Sequence, residues 1–146
     1  MKLISFLLCL FGGRSLPAFS QKSNWLITKL QRADSVILVS HLNTNELPAA
    51  DTSGHILPHP KLLVAGKPNY SIAKERRSLT IVQRMELGRI LIRPIKQIIL
   101  KEGRCFMPHH AIFIIKNGRT SYIDICFDCS RSMSSDDLND ILTFTI

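Results

Sequence analysis

Two spacings of apolar residues alternate along this chain, and each predicts a different element. In 24–33 (NWLITKLQRA), Trp25, Leu26 and Leu30 recur at helical spacing, and Ser23 or Asn24 is placed to cap the start. The run Ser35–Ser40 (SVILVS) is β-branched and reads as a strand. Its residues are apolar at both parities, so this strand should be central or covered on both faces. Residues 41–60 contain Asn43, Asn45, Pro48, Asp51, Ser53, Gly54, Pro58 and Pro60 and predict a loop, with a second short strand at 61–65. Thr80 and Gln83 form a capping-box pair that opens a helix over 81–92. Its expected buried stripe is Val82, Met85, Ile90 and Leu91, with Ile81 and Ile92 at the margins. Gln83, Arg84, Glu86 and Arg89 then face water, Gly88 weakens the helix, and Pro94 ends it. Residues 95–100 lean to strand. A short terminal helix follows Ser134 or Ser135, burying Leu138, Ile141 and Leu142.

The clearest local signal is Asn117-Gly118, flanked by apolar runs at 111–116 and 119–126. Asn-Gly favours a two-residue type I′ turn, because both central residues need positive φ. Such a turn sets Lys116 opposite Arg119 and fixes every pair above it. One face of the hairpin carries Ile112, Ile114, Ile123, Ile125 and Phe127, and should pack on the 81–92 helix. The other carries Ala111, Phe113, Ile115, Tyr122, Asp124 and Cys126, a mixed face expected to be partly wet. The fold class that follows is α+β: a small antiparallel sheet with this hairpin and a helix on one face.

Composition adds the setting. The chain has 146 residues and is 45% apolar, which suits one folded domain and excludes global disorder. Lys2, the apolar run Leu3–Phe11 and the small residues Ala18 and Ser20 have the layout of a secretory signal peptide, cleaved before Gln21. That divides the chain into a leader, 1–20, and a single α+β domain, 21–146. The apolar run is too short to span a bilayer, so a transmembrane protein is not expected. The expected setting is secreted or periplasmic, where disulfides persist. The formal charge is +8, and losing Lys2 and Arg14 lowers it by two to +6. A basic surface suits an acidic partner protein or an anionic cell-envelope surface. Nucleic acid is not indicated, because no aromatic residues interleave the basic ones and no binding motif is present.

The candidate chemistry lies at the open end of the hairpin. Cys105, His109, His110, Cys126 and Cys129 fall within 25 residues, and the register sets His109 opposite Cys126 with Asp124 diagonal to it. Three readings compete. A disulfide would tie Cys105 to the Cys126/Cys129 end, and a 105–129 bond would contribute about 3 kcal/mol in the chain-entropy model. A zinc site would take Cys126-x-x-Cys129 with Cys105 and His109 or His110, provided the chain turns at Phe127-Asp128. A thiol-based redox or hydrolytic enzyme would use Cys126 or Cys129 with a histidine, as in a Cys126/His109/Asp124 triad. Asp124 and Asp128 oppose the last, since neighbouring carboxylates disfavour the thiolate. His41, His55 and His59 are expected to be exposed loop residues, and Pro58 breaks the helical spacing of the latter two.

Cys105-Phe-Met-Pro-His-His-Ala-Ile-Phe and Tyr122-Ile-Asp-Ile-Cys-Phe-Asp-Cys129 together resemble a pattern in small exported proteins of Bacteroidota. That pattern runs roughly Cys-x-x-Pro-Arg-His, an apolar strand, a Gly turn, then Ile-Cys-Phe-Glu-Cys. His109 stands at the pattern's arginine, so His110 matches its histidine. The resemblance covers about 25 residues and implies export and organisation; it carries no activity. The functional expectation is a secreted, non-enzymatic binding or structural module. The alternatives are the thiol enzyme and an inhibitor or immunity-type protein that binds an acidic partner.

Overall fold

The Asn117-Gly118 turn joins two neighbouring strands of the sheet. Both residues have positive φ, 50° and 73°, which matches the type I′ geometry and the right-handed twist of the strands it joins. The computed structural model describes residues 18–44, 50–56, 58–92, 107–128 and 131–139. Within them the hairpin consists of β5 (His110–Lys116) and β6 (Arg119–Cys126), following β1 (Ser35–His41) and β4 (Ala73–Ser78). β7 (Arg131–Ser134) completes a five-stranded antiparallel sheet of order β4-β1-β5-β6-β7. Lys116 pairs with Arg119 and the register holds to His110 opposite Ile125. A separate two-stranded ribbon joins β2 (Leu63–Val64) to β3 (Lys67–Pro68) through Ala65 and Gly66, both at positive φ.

β1 lies between β4 and β5, as its two apolar parities require. β4, with sequence AKERRS, carries no strand signal in its side chains. It pairs because β1 offers an open row of backbone donors and acceptors, and its charges suit an edge. β7 is the opposite edge.

Helix α1 (Ala18–Arg32) starts six residues before the expected beginning at Asn24. α2 (Ile81–Leu91) opens with the expected capping box: the Gln83 amide donates to Thr80 Oγ1, and the Thr80 amide donates to Gln83 Oε1. A short α3 (Asp136–Asn139) follows Ser135 and buries Leu138. Segment 95–100, Ile141 and Leu142 lie outside the described residues.

The core has two layers. On one face of the sheet Val36, Ile112, Ile114, Ile123 and Ile125 meet Leu26, Leu30, Ala33, Leu79 and Leu138. The helix in direct contact with this layer is α1, with Leu87, Leu91 and Ile92 of the α2 region at its margin. The phase of α2 differs from the expected one. Val82, Ile81 and Ile90 are exposed, and the helix turns Leu87, Gly88 and Leu91 inward. The reason is Gly88, where an added Cβ would come within 3.1 Å of Ile27 Cγ1 and 3.3 Å of Leu30 Cδ1. The missing side chain lets the two helices approach closely, and that contact outweighs the apolar stripe. Arg84, expected to face water, donates to the carbonyl oxygens of Leu79 at 3.1 Å, Ala33 at 2.6 Å and Asp34 at 3.4 Å.

The second face is more covered than expected. Val39, Ala111 and Phe113 are buried under Leu62 and Ile72, with Tyr70 edge-on to Phe113. The loop and ribbon that supply this cover are distant in sequence, so the hairpin pattern alone does not show it. Phe127, expected in the first core layer, is 58% exposed because the chain leaves the sheet after Cys126 in a turn at Phe127-Asp128.

Candidate functional site

The ends of β1, β5 and β6 meet where the sequence places its cysteines and histidines. β1 pairs with β5 through Ser40 and His110, and the His41 amide donates to the His109 carbonyl at 2.9 Å. His41 continues the alternation Ile37, Val39 and so shares the face of Ala111 and Asp124. The small side chain of Ala111 leaves room above β5. Through that gap the His41 ring reaches Asp124, its Nε2 donating to Oδ1 at 3.0 Å. The His41 Nδ1 donates to the carbonyl of Leu42 at 2.6 Å. The side chains are 0% and 6% exposed.

Two acceptors on one imidazole decide its charge. A carbonyl and a carboxylate both need a proton from the ring, and only the imidazolium offers two. Burial works against that charge and is the largest single influence. The hydrogen bonds to Asp124 and the Leu42 carbonyl, the Asp124 charge and the His110 carbonyl together outweigh it, and the His41 pKa is raised above 6.5. The result is a buried His41–Asp124 ion pair that joins β1 to β6 across β5. Beside it, burial and then the charges of Asp124 and Asp136 push the Tyr122 phenol up.

The expected site residues separate. Cys126 is 2% exposed and disulfide-bonded. Cys105 and Cys129 lie outside the described residues. His109 is exposed, with Nδ1 3.4 Å from the His41 carbonyl. His110 points to the opposite face, edge-on to Phe127 at 5.0 Å. The two adjacent histidines therefore do not converge. The expected His109–Asp124 contact is replaced by His41–Asp124, and the His109 ring lies against the His41 carbonyl instead. His41 was expected in a loop; the signal that would have found it is its place two residues beyond Val39 in an unbroken strand alternation. His55 stays in its exposed loop, 3.5 Å from Asp51. Among the described residues no three His, Cys, Asp or Glu side chains are grouped to hold a metal ion.

A groove lies on each side of this end of the sheet. On the Asp124 face, a cavity of about 410 Å³ is lined by Asp124, Tyr122, Met133, His59 and Lys61 among others. On the helix face, a cavity of about 670 Å³ is lined by Leu38, Ile112, Ile125, Leu87, Arg77 and Phe127 among others. Both fall in the size range of small-ligand sites. No helix among the described residues is long and apolar enough to cross a membrane. No family model, curated protein or solved structure matches the chain.

Proposed function

We propose that the chain is an exported, non-enzymatic binding module whose Cys/His end is a structural staple. The observation that carries this is the double commitment of His41. Both ring nitrogens donate, to Leu42 O and to Asp124 Oδ1, so the ring has no lone pair with which to take a proton from a nucleophile. Cys126 is likewise committed, since a sulfur in a disulfide is neither a nucleophile nor a thiolate ligand. His41 and Asp124 thus hold the ends of β1 and β6 together, and Cys126 is closed to thiolate chemistry. Persistence of a disulfide favours an oxidising compartment, in line with the leader-like residues 1–20. Leu26 and Leu30 of α1, and Ala33 just after it, all follow the Ser20–Gln21 bond, so cleavage there would keep these core side chains.

Thiol counting tests the reading. The 21–146 chain contains Cys105, Cys126 and Cys129. In denaturant it should titrate a single thiol before reduction and all three afterwards, with a lower Tm in reductant. Three free thiols before reduction in protein recovered from an oxidising compartment would remove the staple and return the thiol chemistry to first place.

A further inference from the structure

We propose that the groove on the helix face of the sheet seats a medium-chain alkyl carboxylate, lying across the strands with its headgroup at Arg77. The proposal rests on the binding-module reading and names the ligand of one groove.

The register builds the seat. Arg77 on β4 pairs with Leu38 on β1, and Leu38 pairs with Ile112 on β5. Ile112 pairs with Ile123, and Ile125, two pairs further along β6, faces His110. The row Arg77, Leu38, Ile112 and Ile125 therefore crosses the sheet diagonally from its charged edge toward Phe127. Leu87 of α2 forms the side wall. Three strand spacings separate β4 from β6, about 14 Å, which is the reach of an extended medium-length alkyl chain.

The two ends differ in chemistry. Arg77 is exposed on the edge strand, and none of the ion pairs among the described residues engages it. Its guanidinium can take a carboxylate through two parallel hydrogen bonds while water still reaches the headgroup. At the other end Phe127 stands 58% exposed against the His110 ring, an aromatic surface open to a hydrocarbon tail. Glu75 faces Ser40 at the corner nearer the Cys/His end. Its charge repels an anion there and leaves Arg77 as the headgroup position. The charge pattern thus selects an anion over a cation, and the apolar floor selects an alkyl chain over a small polar acid.

The test is calorimetric titration of the full oxidised chain with dodecanoate below its micelle concentration, at neutral pH. Dodecanoate should bind saturably, and dodecyltrimethylammonium should bind about tenfold more weakly or less. Arg77→Glu should lower dodecanoate affinity by about tenfold or more with Tm unchanged, because the residue is exposed. Phe127→Ala should weaken it severalfold, and His59→Ala, in the opposite groove, should leave it unchanged. Absence of saturable binding, equal binding of the cationic analogue, an unaffected Arg77→Glu variant, or loss in His59→Ala would each overturn the proposal. The thiol count is independent of all four, so it separates failure of this ligand from failure of the binding-module reading.

Discussion

His41 owes its charge to two neighbours that can only accept, Leu42 O and Asp124. Because its pKa is raised in the folded chain, folding takes up a proton at pH values between the ordinary histidine value of 6.5 and the higher folded one. The contribution is fully present below the unfolded value and is lost as pH rises through the folded value. Denaturant unfolding followed against pH should therefore show stability falling on the alkaline side of 6.5. The His41→Gln variant should lack that slope. It should also be less stable by roughly 3–5 kcal/mol at acidic pH, since it leaves the buried Asp124 carboxylate without its counter-charge. A wild-type stability that stays level across this range would show that His41 is not the imidazolium. Its neighbours do not replace it: His109 and His110 are exposed, and Tyr122 is not a cation.

At the scale of elements, the contact between α1 and α2 turns on one absent side chain. Gly88 costs helix propensity, about 1 kcal/mol relative to alanine. It stands at the point where Ile27 and Leu30 approach the α2 backbone. A branched side chain there has nowhere to go. Gly88→Val should cost about 2–4 kcal/mol in denaturant unfolding, combining overpacking with poorer helix propensity. The control Arg89→Val, on the exposed side of the same helix, should change stability by less than about 1 kcal/mol. Equal effects at the two positions would show that the close approach at Gly88 is not what sets the phase of α2. Arg84 acts in the same contact, holding the carbonyls of Ala33 and Asp34 where α1 passes into β1. Asp34 then reaches the hairpin, its Oδ2 accepting from the Asn117 amide at 2.7 Å. The turn that the sequence announces is thereby tied to both helices.

Over the whole molecule, Asp137 joins distant parts of the chain. Its carboxylate accepts from Lys29 Nζ of α1 at 2.5 Å, Ser121 Oγ of β6 at 2.6 Å and Ser135 Oγ at 2.6 Å. Burial raises its pKa, but the hydrogen bonds from Lys29, Ser121 and Ser135 and the lysine charge outweigh it and bring it down to about 2, from 3.8. A depressed carboxylate stabilises the fold above its unfolded value, and that contribution disappears as pH falls through the folded one. Acid unfolding should therefore steepen between about 4 and about 2, and Asp137→Asn should remove that part of the dependence. Because the carboxylate is about half exposed, added salt should reduce the difference between the two proteins. The two titrating groups thus limit stability from opposite sides, Asp137 in acid and His41 toward alkaline pH.

What the sequence alone determined is local. The Asn117-Gly118 turn fixed the β5–β6 register, since a two-residue loop leaves no freedom in pairing, and Thr80 with Gln83 set the start of α2 within one turn. The composition of 35–40 established a strand covered on both sides. Tertiary structure decided what depends on partners distant in the chain. β4 is a strand because β1 needs a neighbour, although AKERRS carries no strand pattern of its own. Ala111 and Phe113 on the second face of the hairpin are buried because Leu62, Tyr70 and Ile72 pack over them. The phase of α2 follows Gly88 because helix packing outweighs the apolar stripe when the two disagree. The ion pair belongs to this class too. Asp124 was visible on its face from the hairpin register, but its partner comes from β1, whose pairing with β5 no local turn specifies. A register set by a turn is written in consecutive residues; one set by burial needs both faces of the sheet in place.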